Sequence, residues 1–256
     1  MLFGKPLIKR ASRMKWIRDA TKRFPLRPHY ELHELDNDCE VIVCSFLKKK
    51  YGSTDFPIST DDLTVLLETE VDDLDLYADL STYGDNVEGI TIFCPNAKPR
   101  VKIERKLSES PSRENRLRTT LTHEFGHVHF HSHLFDKPAT SMDLFSAEDD
   151  PTANGSPLQL CKRDSIINAP VVDWMEWQAG HVCGAILMPV TQTNNFLLSG
   201  WAKEINAGPI LPTSSIAAEI VDGIKNKFQV SREAARIRLL RLKVLSNAGV
   251  TSHNFG

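Results

Sequence analysis

No stretch of the 256 residues approaches the roughly twenty consecutive apolar side chains that a membrane-spanning helix needs. The five cysteines, Cys39, Cys44, Cys94, Cys161 and Cys183, are odd in number and include no CxxC pair, which argues against a disulfide framework. The start lacks the charged-then-apolar order of a secretory signal, since "MLFGKPLIKR" places its bases after a very short apolar patch. Acids are nearly missing from the first 29 residues: Lys5, Lys9, Arg10, Arg13, Lys15, Arg18, Lys22, Arg23 and Arg27 face only Asp19. The net charge of -2 therefore makes the remainder acidic on balance. Hydrophobic residues at 41% and charged residues at 25% are ordinary for a globular chain, and this length can bury a core as one large domain or two small ones. The expectation is a cytoplasmic protein with no membrane contact.

Residues 1–29 read as a basic N-terminal arm with one helix around "SRMKWIRDATKRF", either a solvated tail or a nucleic-acid contact. "DNDCEVIVCSFLKKKYG" predicts a helix capped by Asp36 or Asn37 and stopped by Gly52, and "STDDLTVLLE" a second one capped by Ser59 or Thr60. The short alternating runs "DLDLYADL", "GITIFC" and "RVKIERKL" then predict strands of a small antiparallel sheet. The period becomes helical through "RLRTTLTHEFGHVHFH", and residues 136–170, rich in Pro, Ser, Asp and Asn, read as an irregular excursion. "VDWMEWQAGHVCGAILM" is a strong helix ended by Pro189, and two more helices follow, "SSIAAEIVDGIKNKF" and "SREAARIRLLRLKVL". The fold class expected is α+β, with a main domain over 30–190 and a helical tail over 191–256.

What is abundant is histidine. Five of the nine histidines lie between His123 and His133. "HEFGH" fits HExxH, and helical residues four apart sit about 40° apart around the axis and about 6 Å along it. His123 and His127 can therefore aim at one zinc ion, while Glu124 is rotated to the flank, within reach of water. A catalytic zinc takes three protein ligands and leaves a position to water. His131, about 12 Å from His123 along the axis, is too distant while the helix persists. His133 stands at the offset of the third histidine in HExxHxxGxxH, but Phe130 occupies the position that needs glycine. The third candidate is Glu176, on one stripe with Gly180 and Gly184 and beside Cys183 and Leu187. Small residues there let two helix backbones approach, as would Gly126, which costs about 1 kcal/mol inside a helix. A glutamate on such a stripe is expensive to bury unpaired, and a metal neutralises it. The other reading is a glutamate at the end of a core helix, with Cys183 a small core thiol.

"RTTLTHEFGH", Arg118 to His127, and "EWQAGHVCGAILMP", Glu176 to Pro189, resemble the ImmA/IrrE-type metallopeptidases. Their pattern is R-F-T-L-A-H-E-L-G-H followed by E-x-x-A-N-x-F-A-x-x-L-L-M-P. The likeness spans residues 55–245 in three segments, the tail included. It implies a zincin-like metallopeptidase domain followed by a helix-turn-helix-like tail, with His123, His127 and Glu176 as Zn2+ ligands and Glu124 as catalytic base. It departs at Gly180, where the family has Asn or Asp, and Asp173 is a candidate substitute for the lost hydrogen bond to a zinc histidine.

With zinc in place, peptide-bond hydrolysis follows without a covalent intermediate: Glu124 takes a proton from the attacking water and passes it to the leaving amine. His129, His133, His181 and Tyr83 are candidates for stabilising the oxyanion. The long excursion is a candidate lid or substrate-binding edge, with "CKRDS" a possible recognition element or a plain loop. Kinship implies a regulatory protease whose protein substrate is a helix-turn-helix transcriptional repressor. The alternative is a zinc-containing DNA-binding regulator or toxin–antitoxin component, binding DNA through the basic arm or through Arg232, Arg236, Arg238, Arg241 and Lys243 of the tail. In the bland version of the tail its last helix packs on the peptidase domain, with Ile237, Leu240 and Val244 inward.

Overall fold

The computed structural model describes residues 15–136, 158–162 and 173–247. The helix expected around "SRMKWIRDATKRF" is instead a hairpin: β1 (Lys15–Arg18) pairs antiparallel with β2 (Leu26–His29), Trp16 opposite Pro28. Asp19 makes the reversal, its carboxylate accepting from the Thr21 and Phe24 amides at 3.0 Å each and from Trp174 Nε1 at 3.1 Å. A side chain that folds back onto nearby amides competes with the helical ladder, and Pro25 and Pro28 have no amide to give it.

α1 (Leu32–Tyr51) ends at Gly52 as expected, but it starts before Asp36, because Glu31 and Glu34 cap it reciprocally. α2 (Thr60–Glu68) is capped by the Ser59 hydroxyl. The predicted strands are β3 (Asp73–Ala78), β4 (Val87–Ile92) and β5 (Arg100–Glu104), followed by the short α3 (Arg105–Ser108). A further strand, β6 (Leu158–Lys162), lies inside the excursion read as irregular. Most of that excursion, including the end of "CKRDS", is outside the described residues. The sheet order is β3-β5-β4-β6. β4 runs antiparallel to both neighbours, whereas β3 and β5 are parallel, so the sheet expected to be antiparallel is mixed. β3 skips its successor β4 and pairs with β5, and strand periodicity does not record which runs become neighbours.

α4 (Glu114–His131) and α5 (Trp174–Leu187) pack against each other at the centre. The tail holds α6 (Val190–Asn206), α7 (Ser215–Phe228) and α8 (Arg232–Arg241). α6 was not expected: Pro189, read as a stop, is also the residue that begins the next helix, with φ -58°. One hydrophobic cluster runs from Leu35 to Leu245 and takes side chains from both sides of the boundary drawn at residue 190. Arg118 on α4, 1% exposed, donates to the Ile58 and Phe228 carbonyls and ties α7 to the central pair. Among the described residues no helix is long and apolar enough to cross a membrane.

α8 packs inward through Ala235 and Leu239, with Leu240 and Val244 partly covered. Two of its bases also point in. Arg238 donates to Asp36 Oδ1 at 2.6 Å and to the Met188 carbonyl at 3.0 Å, and Arg241 donates to the Gly180 carbonyl at 2.9 Å. The Gly180 and Gly184 stripe therefore faces α8, with the Arg238 side chain 3.5 Å from where a Gly184 Cβ would be. The close approach of α5 to α4 is made instead at Gly126, where a Cβ would lie 2.9 Å from Ala179 Cα and 3.2 Å from Val182 Cβ. Backbone on the far side cannot yield as a flexible side chain does. Gly126→Ala is therefore expected to lower stability by about 1–3 kcal/mol despite its better helix propensity. A denaturation midpoint at or above that of the wild type would disprove the close contact.

Candidate metal centre

Three side chains from two helices converge. His123 Nε2 and His127 Nε2 lie 3.1 Å apart, and Glu176 brings one carboxylate oxygen within 3.1 Å of the first and the other within 3.0 Å of the second. His123 and His127 face the same way because they are one helical turn apart on α4, and Glu176 reaches them from the first turn of α5. That turn is held by Asp173, whose carboxylate accepts from the Glu176 amide. All three groups are buried and each offers one donor atom to a common point. A tetrahedral ion with bonds near 2.05 Å needs its donors about 3.3 Å apart. Spacings of 3.0–3.1 Å require the three groups to part by only a few tenths of an ångström. Two imidazoles and a carboxylate suit zinc and other borderline divalent ions.

Electrostatics agree with a cation at this point. Burial alone would raise the Glu176 carboxyl, but His127 and His123 outweigh it and hold the group well below the usual carboxylate range. Burial pulls His127 down, and the charge and hydrogen bond of Glu176 reverse this to a net rise. Glu176 is thus held as a carboxylate facing the two imidazoles.

Glu124 stands beside it, fully buried, on the flank of α4 that faces the sheet. Thr91 Oγ1 on β4 donates to Glu124 Oε2 at 2.5 Å. Gly89, two residues earlier on the same strand, leaves open the space that the Glu124 carboxylate fills; a Cβ there would collide with Oε1. Burial raises the Glu124 carboxyl, against the pull of His127 and His123. Oε1 has no hydrogen-bond partner among the described residues.

The surplus histidines divide. His131 backs the site: its Nδ1 lies 3.2 Å from His127 Nδ1, its Nε2 lies 2.9 Å from Gln178 Oε1, and Gln178 Nε2 donates to the Pro28 carbonyl at 3.4 Å. The carbonyl at the far end accepts only, which fixes each proton in turn. Gln178 shows its oxygen to His131, His131 is protonated on Nε2 and accepts at Nδ1, and His127 donates from Nδ1 and keeps its Nε2 lone pair for a cation. Burial and the neighbouring His127 hold His131 well below its ordinary pKa, in the neutral form this chain needs. His131→Leu is expected to weaken metal binding about 10–100-fold without removing a ligand. Competition against a chromophoric chelator would read it, and unchanged affinity would deny the chain a role.

His133 packs edge-on against Trp16. His129 stacks on Phe125 and faces Glu70 at 3.4 Å. His181 lies behind α5 on Asp36 at 2.9 Å. Tyr83 is in the exposed turn Ser81–Tyr83. The structure brings none of the four to the cluster. Asp173 supports Glu176 and not a histidine. Cys183 is a core thiol that accepts from the Thr122 hydroxyl at 3.2 Å, and burial pushes it up to about 11. Gly89, Thr91, Gln159 and Gln178 were missed by sequence reasoning. No motif marks them, since each matters only through a partner distant in the chain. No model of a known protein family matches this chain, and no curated protein does.

Proposed function

We propose that this protein is a zinc-dependent endopeptidase with a zincin-like catalytic core of the ImmA/IrrE kind, acting on a helix-turn-helix repressor. The observation that carries the reading is the meeting of His123, His127 and Glu176 at one point with a fourth group, Glu124, set to the side. A purely structural metal site has no use for a buried carboxyl held out of the ligand set. Bound zinc supplies the electrophile, polarising the scissile carbonyl and acidifying water. The chain's own residues do the rest. Glu124 takes the proton from the attacking water on Oε1, because Oε2 is held by Thr91. Its raised pKa suits a group that must accept a proton and then release it to the leaving amine. The His127–His131–Gln178 chain keeps His127 in one tautomer throughout.

The DNA-binding alternative has less support. Arg238 and Arg241 are committed to interior acceptors, and Arg232 and Arg236 pair with Asp222 and Glu233. The test incubates the purified protein with a candidate helix-turn-helix repressor. Discrete fragments should appear, vanish with a chelator and return with added zinc. An intact repressor under all three conditions, from a preparation that binds no zinc, would refute the endopeptidase reading.

A further inference from the structure

The cluster is closed to any polypeptide. His123, His127 and Glu124 are 0% exposed and Glu176 is 3% exposed, yet a scissile carbonyl must come within hydrogen-bond reach of Glu124. One wall of the site is β6. This edge strand pairs antiparallel with β4, Ile92 opposite Leu158, Thr91 opposite Gln159 and Gly89 opposite Cys161. Thr91 and Gly89 are the residues that hold and accommodate Glu124, so β6 runs along the strand edge next to the base. Its side chains alternate. Leu158 and Leu160 pack toward Ala78, Leu80, Val87 and Ile90. Gln159 Nε2 donates to Glu176 Oε1 at 2.6 Å, and the Cys161 thiol, fully buried, lies beside Glu124. Arg23 on the N-terminal hairpin donates to Gln159 Oε1 at 2.6 Å and fastens the strand from outside.

We propose that β6 sits where an extended peptide substrate pairs, and that it must leave the β4 edge to admit one. The proposal rests on the endopeptidase reading of the site and says how that site is kept shut. With β6 gone, β4 presents a row of unpaired amides and carbonyls that only another extended chain satisfies. The vacated positions define the ligand. At the places of Leu158 and Leu160 it carries apolar side chains. At the places of Gln159 and Cys161 it carries small or uncharged polar ones, because an acid there would face the Glu176 and Glu124 carboxyls. Such alternation occurs in an unfolded or strand-forming segment, so substrates are cut where the chain is extended.

Alkylation of Cys161 in the full-length protein, followed by peptide mass spectrometry, reads the opening without metal or hydrolysis. Leu160→Asp puts a charge in the apolar seat of β6, away from the cluster. It should speed Cys161 alkylation at least about tenfold while Cys183, also buried, stays protected. A peptide of residues 157–163 carrying Cys161→Ser should slow it again by taking the vacated edge. If Leu160→Asp exposes Cys183 as well, Gln159→Ala, which cuts the link between Arg23 and Glu176, takes its place with the same expectation. Cys161 reacting no faster in the folded variant than in the wild type would overturn the proposal, as would a wild-type Cys161 as reactive as an exposed thiol. Should the strand open, and the opened variant hydrolyse no peptide with zinc present, the endopeptidase reading fails and the displaceable strand stands.

Discussion

Glu124→Gln is expected to reduce zinc-dependent hydrolysis by about 10²–10⁴-fold while zinc stoichiometry stays at the wild-type value. The two halves of this expectation have separate causes. Glutamine keeps the shape that Gly89 accommodates and can still accept from Thr91, so the buried packing survives. It cannot take a proton from water at neutral pH. The three groups that meet at one point exclude residue 124, so metal retention should not change. His123→Ala makes the contrast, because it removes a donor and should lose metal and activity together. Full activity in the glutamine variant would eliminate the general-base role, and loss of metal from it would make Glu124 a ligand.

Asp36→Asn is expected to destabilise the protein by about 3–5 kcal/mol, the usual effect of stripping a buried charge of its counter-ion. Arg238 is 1% exposed and donates to Asp36 Oδ1 at 2.6 Å, and His181 Nε2 meets the same oxygen at 2.9 Å. These contacts join α8, α1 and α5, so one carboxylate ties the last helix to the one that carries Glu176, beside the direct bond from Arg241 to the Gly180 carbonyl. Chemical denaturation would measure the loss. A change below about 1 kcal/mol would mean that Arg238 finds water on its own. The double variant Asp36→Leu with Arg238→Met should recover much of the loss, since the charge and its partner then go together.

The same network gives a pH dependence. Burial tends to raise Asp36, but His181 and Arg238 outweigh it and its folded pKa lies below the ordinary value. Its contribution is therefore present above about pH 4 and lost as pH falls through the folded pKa. Burial lowers His181 against the pull of Asp36. Its contribution is full above about pH 6.5 and also declines on acidification. Both groups act in one direction but in separate windows, His181 from about pH 6.5 downward and Asp36 below about pH 4, so their contribution to the denaturation midpoint should fall in two stages. A contribution that rises below about pH 6.5 when wild type and a His181 variant are compared would contradict the first assignment, and one that holds below about pH 4 against Asp36→Asn would contradict the second.

Some of this was legible in the residues. The HExxH helix was, because a spacing of four fixes two imidazoles on one face whatever surrounds them. So were the start of α2 at one of two candidate caps, Ser59 or Thr60, and the end of α1 at Gly52, where local chemistry decides the backbone. The glycines were half legible. Gly126 marked a close helix contact correctly, but Gly180 and Gly184 serve α8 and not α4, because a small residue records proximity without naming the neighbour. The spacing put His131 too far along the helix to be a ligand, but it did not show that His131 holds the chain that orients His127.

By itself the sequence determined the helix that carries both histidines, the placement of Glu124 off their face, and a helical tail with an apolar side. These depend on periodicity and on neighbours within one turn. Only the tertiary structure decided that residues 15–29 turn back as a hairpin, that β3 and β5 run parallel, and that a five-residue strand from a polar excursion pairs with the strand that holds Glu124. It also decided that two tail arginines point inward. A short strand or a buried charge has no stability of its own. It exists because a partner far along the chain completes its hydrogen bonds or its charge, and that pairing is a property of the folded arrangement.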